Sequence, residues 1–414
     1  MSAISKNLGR RCFSINSKIA KGKIDVPNSL PFNGQVQVLS DLHLDYKKWK
    51  GREVAPEIAV GENAKFLVLA GDIGNPISKI YNDFLKNVCK IFEHVVLVPG
   101  NHEFYEQEYY EAVQILQELE TKHDRLSVLQ GPEDEFMNIN MNMDMDMDMD
   151  MDMGNLDPHK TGRLERHAGS VYLELDKPID IAENSNIQEH NILEVIGTTM
   201  WSWIYESSAN KKENKYIEEY CNTKFGDYRR IKLDHGKFTV NHSNELHKKQ
   251  VKWIADISMA NNLNPDLINF QKQIQKQEDA NWTNVFGEAQ IDQLSKTIQE
   301  PPSDQASKLL INNMKRLIVT HHAPLVQEVC NPKYLGLKSD GSGKINRLKY
   351  CNYAFCTDLS DLIINIKPDA WVFGHTHYPV FQQYHGRTLL VNNPAGKIQG
   401  KAMKRLHPNT IVCI

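Results

Sequence analysis

The sequence predicts an α/β layered fold, and two observations carry that reading. Short apolar runs alternate with segments whose apolar residues recur at helical spacing. Each run also ends in a small polar cluster at its C-terminal end, where open α/β sheets hold their ligands. The chain has 414 residues, enough for one large domain or two small ones.

Val36, Val38 and Leu39 suit a strand leaving the core, and it ends in Asp41-x-His43. Side chains two apart on extended backbone share a face, so this Asp and His are expected to point the same way. Phe66–Ala70 is a continuous apolar run followed by Gly71-Asp72, the pattern of a strand buried on both faces. Beyond Pro76, the residues Ile80, Phe84, Val88 and Ile91 predict a helix with one apolar side. Val95–Val98 is a third strand, stopped by Pro99-Gly100-Asn101-His102. The next helix carries Tyr109, Val113, Leu116 and Leu119 on its apolar side.

Ser170–Leu175 and Leu193–Trp201 read as strands. Trp201 and Trp203 are expected to pack rather than to stack on bases. Tyr205–Val251 is polar and contains Phe225-Gly226-Asp227-Tyr228-Arg229-Arg230. Asp227, Arg229 and Arg230 are expected to form a solvated, ion-paired loop in preference to a phosphate grip, since exposed ion pairs are common. A helix around Leu246, Val251 and Ile254 returns to the core. Leu317–Thr320 is a strand ending in His321-His322-Ala323-Pro324. A helix from about Thr357, its expected N-cap, presents Leu359, Leu362, Ile363 and Ile366. Ala370–Phe373 is the last buried strand before Gly374-His375-Thr376-His377. Val380–Tyr384 and Thr388–Val391 form a hairpin around His385-Gly386.

Four stretches stand outside this rhythm. Residues 1–33 form a basic leader, with Lys6, Arg10, Arg11, Lys18, Lys21 and Lys23 and no acid before Asp25. A mitochondrial presequence, with Arg11-Cys12-Phe13-Ser14 as a cleavage-like site, and a leader without an address stand level as readings. Residues 132–165 include the alternating Met/Asp run Met141–Met153 and are expected to be a disordered acidic loop. Residues 261–308 are a Gln/Asn-rich insertion, helical around Ile291, Leu294 and Ile298. Residues 401–414 are a C-terminal tail. The domain proper is expected over 34–400.

Composition narrows the function. The formal net charge of −4 suggests no global nucleic-acid or membrane partner, and no basic aromatic strip argues for nucleic acid. No apolar run reaches the roughly 20 residues of a membrane span. Seven scattered cysteines read as free thiols in a reducing compartment, so the chain is expected in the cytoplasm or mitochondrion rather than secreted.

Five strands therefore end in groups of metal-binding type: Asp41-x-His43, Gly71-Asp72, Gly100-Asn101-His102-Glu103, His321-His322 and Gly374-His375-x-His377. A Gly before the ligand allows a sharp turn and close backbone approach. Any one such His is by default a hydrogen-bonded surface residue. Joint occurrence in this order overturns that default. A mixed oxygen and imidazole donor set suits Mn²⁺, Fe or Zn²⁺ better than Ca²⁺ or Mg²⁺.

These five blocks resemble those of the calcineurin-like metallophosphoesterase superfamily, over roughly Val36–Gln130 and Leu193–Pro394 in pieces. The resemblance implies a four-layer β-sandwich, two mixed sheets flanked by helices, and a hydrolase for a phosphate monoester or diester. It implies two divalent metal ions: Asp41, His43 and His377 at one, Asn101, His321 and His375 at the other, Asp72 bridging both. It implies a metal-bound hydroxide as nucleophile and His102 as general acid facing the substrate. His321 is preferred over His322 as ligand, which leaves His322 as a supporting residue or substrate contact. The partner implied is a small phosphoester. The rival expectation is a binding scaffold of the same fold without activity, which ligand loss would mark, and no ligand is missing.

Overall fold

The computed structural model describes residues 31–45, 55–131, 169–175, 191–204, 211–234, 236–260, 314–335, 348–395 and 412–414. The leader to residue 30, the Met/Asp run and the Gln/Asn-rich insertion lie outside the described residues.

The strands are β1 (Val36–Leu39), β2 (Phe66–Ala70), β3 (His94–Val98), β4 (Leu126–Val128), β5 (Ser170–Leu175), β6 (Asn191–Thr198), β7 (Lys232–Leu233), β8 (Gly236–Lys237), β9 (Lys315–Thr320), β10 (Ala370–Val372), β11 (Val380–Tyr384), β12 (Thr388–Asn392) and β13 (Val412–Cys413). The helices are α1 (Lys79–Ile91), α2 (Tyr109–Lys122), α3 (Lys211–Lys224), α4 (Asp227–Arg230), α5 (Val240–Ala260), α6 (Leu348–Asn352) and α7 (Ser360–Ile366). One sheet runs β13-β1-β2-β3-β4 and a second runs β11-β12-β10-β9-β6-β5, with β7 and β8 as a separate ribbon. In the first sheet β1 to β4 are parallel and β13 is antiparallel to β1. In the second β6, β9, β10 and β12 are parallel, with β5 and β11 antiparallel at the edges. Both sheets are mixed.

Alternation along the strands builds the layers. On β2, Phe66, Val68 and Ala70 face one way and join Val36, Val38, Val96, Val195, Leu317, Val319 and Val391 between the sheets. Leu67 and Leu69 face the other way and pack on Tyr81, Phe84 and Leu85 of α1 and Val113 and Leu116 of α2. The outer face of the second sheet, with Ile196, Ile318, Trp371 and Leu390, packs on Ile254 of α5 and Leu362, Ile363 and Ile366 of α7. The order is helices, sheet, sheet, helices, the four-layer sandwich expected.

Three details differ from the sequence reading. The buried stripe of α1 is Tyr81, Phe84, Leu85, Val88 and Cys89, and Ile91 is 52% exposed. The i, i+3, i+4, i+7 stripe from Tyr81 centres on the core, and Ile80 and Ile91 lie on its flank. Ser78 caps this helix by accepting from the Tyr81 amide at 3.3 Å. Helix α7 begins at Ser360, and Thr357 does not cap it. Its hydroxyl accepts from the Trp203 amide at 2.8 Å, and Asp358 Oδ1 accepts from the Ser360 amide at 3.1 Å. Third, the chain end is not only a tail, because β13 adds to the edge of β1 and Ile414 is buried.

One ion pair lies deep in the second sheet. Arg316 Nε donates to Glu194 Oε2 at 2.6 Å, and both side chains are buried. Arg316 Nη1 also donates to the Ser258 carbonyl of α5 at 3.0 Å. Removing one partner of a buried pair strands the other charge. Glu194→Ala is expected to lower the unfolding free energy by about 3–5 kcal/mol in denaturant titrations, and the double variant Glu194→Leu/Arg316→Met by clearly less. A single variant no less stable than the double would refute this account.

A candidate dinuclear metal centre

The parallel strands of the two sheets deliver their C-terminal ends to one place. The Asp41 amide donates to the Gly71 carbonyl (3.0 Å), the His43 amide to Asp72 (2.9 Å) and the Gly374 amide to His321 (2.9 Å). Asp41 and His43 are not on extended backbone as expected. Asp41, His43, Asp72, His375 and His377 all have left-handed backbone, with φ between 50° and 62°. Asp and His tolerate this region better than most residues, yet several such residues together persist only where the surroundings over-determine them. Part of that determination is apolar. Leu42 and Leu44 are buried in the α1/α2 core, which turns the alternating Asp41 and His43 the other way.

Close packing explains two glycines. A Cβ on Gly71, whose φ is +79°, would lie 2.3 Å from His321 Nδ1, and one on Gly100 would lie 2.4 Å from the Asp72 amide nitrogen. No side chain fits at either position.

Glu103 ties the two loops together. Its fully buried carboxylate accepts from the backbone amides of Asp72 (3.0 Å), Ile73 (2.8 Å), Gly74 (3.2 Å) and Gly100 (2.8 Å). Burial and the neighbouring Asp72 charge raise its pKa to about 7, against those donors.

The donor atoms gather in two groups that share Asp72. In the first, His43 Nε2 lies 3.0 Å from His377 Nε2, His377 Nε2 lies 3.4 Å from Asp41 Oδ1, and His43 Nε2 lies 3.7 Å from Asp72 Oδ2. Asp41 is fixed by the Ser40 hydroxyl at 2.5 Å and the His375 amide at 3.0 Å. In the second, His321 Nε2 lies 3.2 Å from Asp72 Oδ1, 3.0 Å from Asn101 Oδ1 and 3.1 Å from His375 Nδ1.

The second group holds acceptors facing acceptors. His321 Nδ1–H donates to the Ala70 carbonyl at 2.9 Å, and His375 Nε2–H donates to the Ala354 carbonyl at 3.2 Å. A carbonyl only accepts, so in the neutral rings His321 Nε2 and His375 Nδ1 carry lone pairs. Asn101 Nδ2 donates to Asp227 Oδ1 at 2.6 Å and to Tyr105 Oη at 2.9 Å, so its Oδ1 also faces inward. Four acceptors converge, and only a positive centre reconciles them. Burial lowers the His321 pKa, but the Asp72 and Asp41 charges outweigh it and raise it to about 9. Burial and neighbouring imidazoles push His43 and His375 well below the ordinary histidine value, so they stay neutral, the form that ligates. Burial would raise Asp72, but His102 and His321 hold it well below the usual carboxylate range. This donor set fits a pair of divalent cations.

His102 is outside both groups. Its amide donates to Asp72 Oδ1 at 2.9 Å, its ring Nδ1 meets Asp45 Oδ2 at 2.9 Å, and its Nε2 lies 3.8 Å from Asp72 Oδ2. Burial lowers its pKa, but Asp72 and Asp45 outweigh that and raise it. His322 is buried, its ring 4.2 Å from that of His375 and 5.5 Å from Trp201, and burial keeps it neutral down to about 3.

Asp227 departs from expectation. It is 3% exposed and bound to Asn101 and Tyr105, because α4 drives it inward while Arg229 and Arg230 stay on the surface. Arg230 pairs with Glu106 at 2.6 Å and lies 4.3 Å from the Tyr105 ring centre. The sequence reading also missed Asp45 and Glu103 as working residues. Asp45 had a signal in the alternation Asp41-x-His43-x-Asp45. Asp227 had none.

Residues 35–139 match the family model of the calcineurin-like phosphoesterases. That segment is similar to the calcineurin-like phosphoesterases. It contributes Asp41, His43, Asp72, Asn101 and His102, and the remaining histidines of the site follow β9 and β10. The chain is 25% identical over 370 residues to the uncharacterized protein L509 of Acanthamoeba polyphaga mimivirus, covering 86% of this chain and 89% of the other. Phosphopantetheinyl hydrolase (PptH) from Mycobacterium tuberculosis aligns at a TM-score of 0.47 with 13% identity, over 92% of this chain and 95% of that one. A dimetal phosphatase from Danio rerio aligns at 0.31 with 10% identity, over 86% of each chain. No helix among the described residues is long and apolar enough to cross a membrane.

The Glu103 carboxylate accepts four amides, and a carboxamide there would turn its NH₂ toward some of them. Glu103→Gln is expected to destabilise the metal-free protein by about 2–4 kcal/mol. The exposed control Glu118→Gln is expected to stay within about 0.5 kcal/mol of the unaltered chain. Equal unfolding midpoints for the two variants would rule out the clamp.

Proposed function

We propose that this chain is a metal-dependent phosphoric ester hydrolase with two divalent cations, drawn from manganese, iron and zinc. One observation carries the reading: the two oxygens of a single buried carboxylate, Asp72, face two separate donor groups, His43 at 3.7 Å and His321 at 3.2 Å. Asp41, His43 and His377 would hold one cation, Asn101, His321 and His375 the other, and Asp72 both. Bound there, the pair would supply the Lewis acidity that activates water and neutralises charge on a transferring phosphoryl group.

The chain's own groups do the rest. His377, Asp45 and His102 form the exposed side of the cluster, at 23%, 12% and 11% side-chain exposure, whereas His321 has none. A small phosphate monoester or diester would enter from that side. Asp45 receives the Nδ1 proton of His102, which leaves Nε2 facing the cluster and stabilises the ring when it is charged. Nε2–H would then protonate the departing ester oxygen. His322 backs the His375 ring, a supporting role that suits its burial better than substrate contact.

The test is hydrolysis of a chromogenic phosphomonoester and phosphodiester by purified protein with Mn²⁺. His102→Ala is expected to lower kcat by about 10²–10⁴-fold with metal content unchanged. Asp72→Asn is expected to lose both activity and metal. Wild-type turnover in both variants would remove the proposal.

A further inference from the structure

The segment Phe225–Arg230, in which Asp227, Arg229 and Arg230 are expected from sequence to be solvated, touches the supports of three site residues. Phe225 packs edge-on against Phe355 at 5.6 Å, and Phe355 contacts the His375 ring at 5.2 Å. Gly226 is so close to Tyr105 that a Cβ there would lie 2.6 Å from its hydroxyl. Arg230 lies on the Tyr105 ring, which also contacts His102 at 4.3 Å. Asp227 makes the most specific contact. Its Oδ1 accepts from Asn101 Nδ2 at 2.6 Å and from the Tyr105 hydroxyl, and all three residues are buried.

An asparagine side chain has two nearly isosteric ends, and only the oxygen can ligate a cation. Nothing on Asn101 itself selects that end. A carboxylate has no proton to give, so next to Asp227 only the NH₂ end of Asn101 fits. The Tyr105 hydroxyl donates its proton to Asp227 and accepts the second contact of Asn101 Nδ2. The two neighbours thus use the amide nitrogen and aim Oδ1 at His321 Nε2.

The geometry points to Asp227 as a positioning residue that sets the orientation of the Asn101 amide and thereby completes the donor set shared with His321 and His375. This rests on the two-cation reading of the site. Its direct consequence is metal affinity at that one position, and the Asp41, His43, His377 position is left intact. Changes to groups that orient metal ligands typically weaken metal binding 10–100-fold.

The experiment is Mn²⁺ titration of metal-stripped full-length protein, with bound metal counted by mass spectrometry and each variant's folding followed by thermal melting. Wild type is expected to take up two ions per chain. Asp227→Ala is expected to keep one affinity and weaken the other about 10–100-fold. Asp227→Asn, which retains an oxygen acceptor toward Asn101, is expected to stay near wild type at both. Asp227→Leu fills the same space without an acceptor and replaces Asp227→Ala if that variant does not fold. Two unchanged affinities in Asp227→Ala or Asp227→Leu overturn the assignment. So does an Asp227→Asn variant as weak as Asp227→Ala, since charge rather than orientation would then govern. Wild-type protein that binds no Mn²⁺ instead overturns the proposed function.

Discussion

Four hydrogen-bond acceptors meet at one buried point, and no neutral arrangement of them supplies a proton. Asn101 Oδ1, Asp72 Oδ1 and His375 Nδ1 lie 3.0, 3.2 and 3.1 Å from His321 Nε2. Unsatisfied, such a cluster costs several kcal/mol in a low-dielectric interior. The surrounding groups decide which atom each ligand turns inward. Ala70 and Ala354 take the outward protons of two histidines, and Asp227 takes the amide of Asn101. The site favours positive charge at that point, in line with the rise of the His321 pKa to about 9 beside Asp72 and Asp41.

The two sheets make this convergence possible. Parallel strands point their C-terminal ends the same way, and a core of valines and leucines between the sheets holds those ends in register. The chain then leaves each strand through left-handed residues rather than continuing extended. That backbone costs energy for non-glycine residues, on the order of 1–3 kcal/mol each. The Glu103 carboxylate and the ladder from Asp41 to Gly71 and His43 to Asp72 offset it. The donor set is therefore held by protein contacts.

Most of the fold was legible because its signals are local. Phe66–Ala70 and Ser170–Leu175 are strands over the very residues read from the sequence, and the five polar strand ends lie together. What was not legible depends on contacts far along the chain. The spacing 80, 84, 88, 91 suggested Ile91 for the buried face of α1, and only the packing against the first sheet shows that the stripe begins at Tyr81. Thr357 looked like a cap, but an amide 154 positions away takes its hydroxyl. Asp227 sits among arginines in a polar stretch, and its partner Asn101 is 126 positions away. Asp45 was nearer to recognition, two residues beyond His43, yet its partner His102 belongs to a different loop.

The charges of the two donor groups differ in a way the fold enforces. Asp41 and Asp72 both serve the first group, which thus holds two carboxylates and two imidazoles. The second holds the shared Asp72, two imidazoles and a neutral amide. The missing carboxylate is not absent from that side. It has moved one layer back, as Asp227, where it touches the amide's hydrogens instead of the site. An acceptor behind the NH₂ fixes which end of the amide faces the centre without adding a formal charge there. Burial raises the Asp227 pKa, and its hydrogen bonds to Tyr105 and Asn101 oppose that rise. An acid held this way stiffens the amide, and in the proposed reaction it would leave room beside it for a phosphate's own negative charge, which a third carboxylate in direct contact would repel.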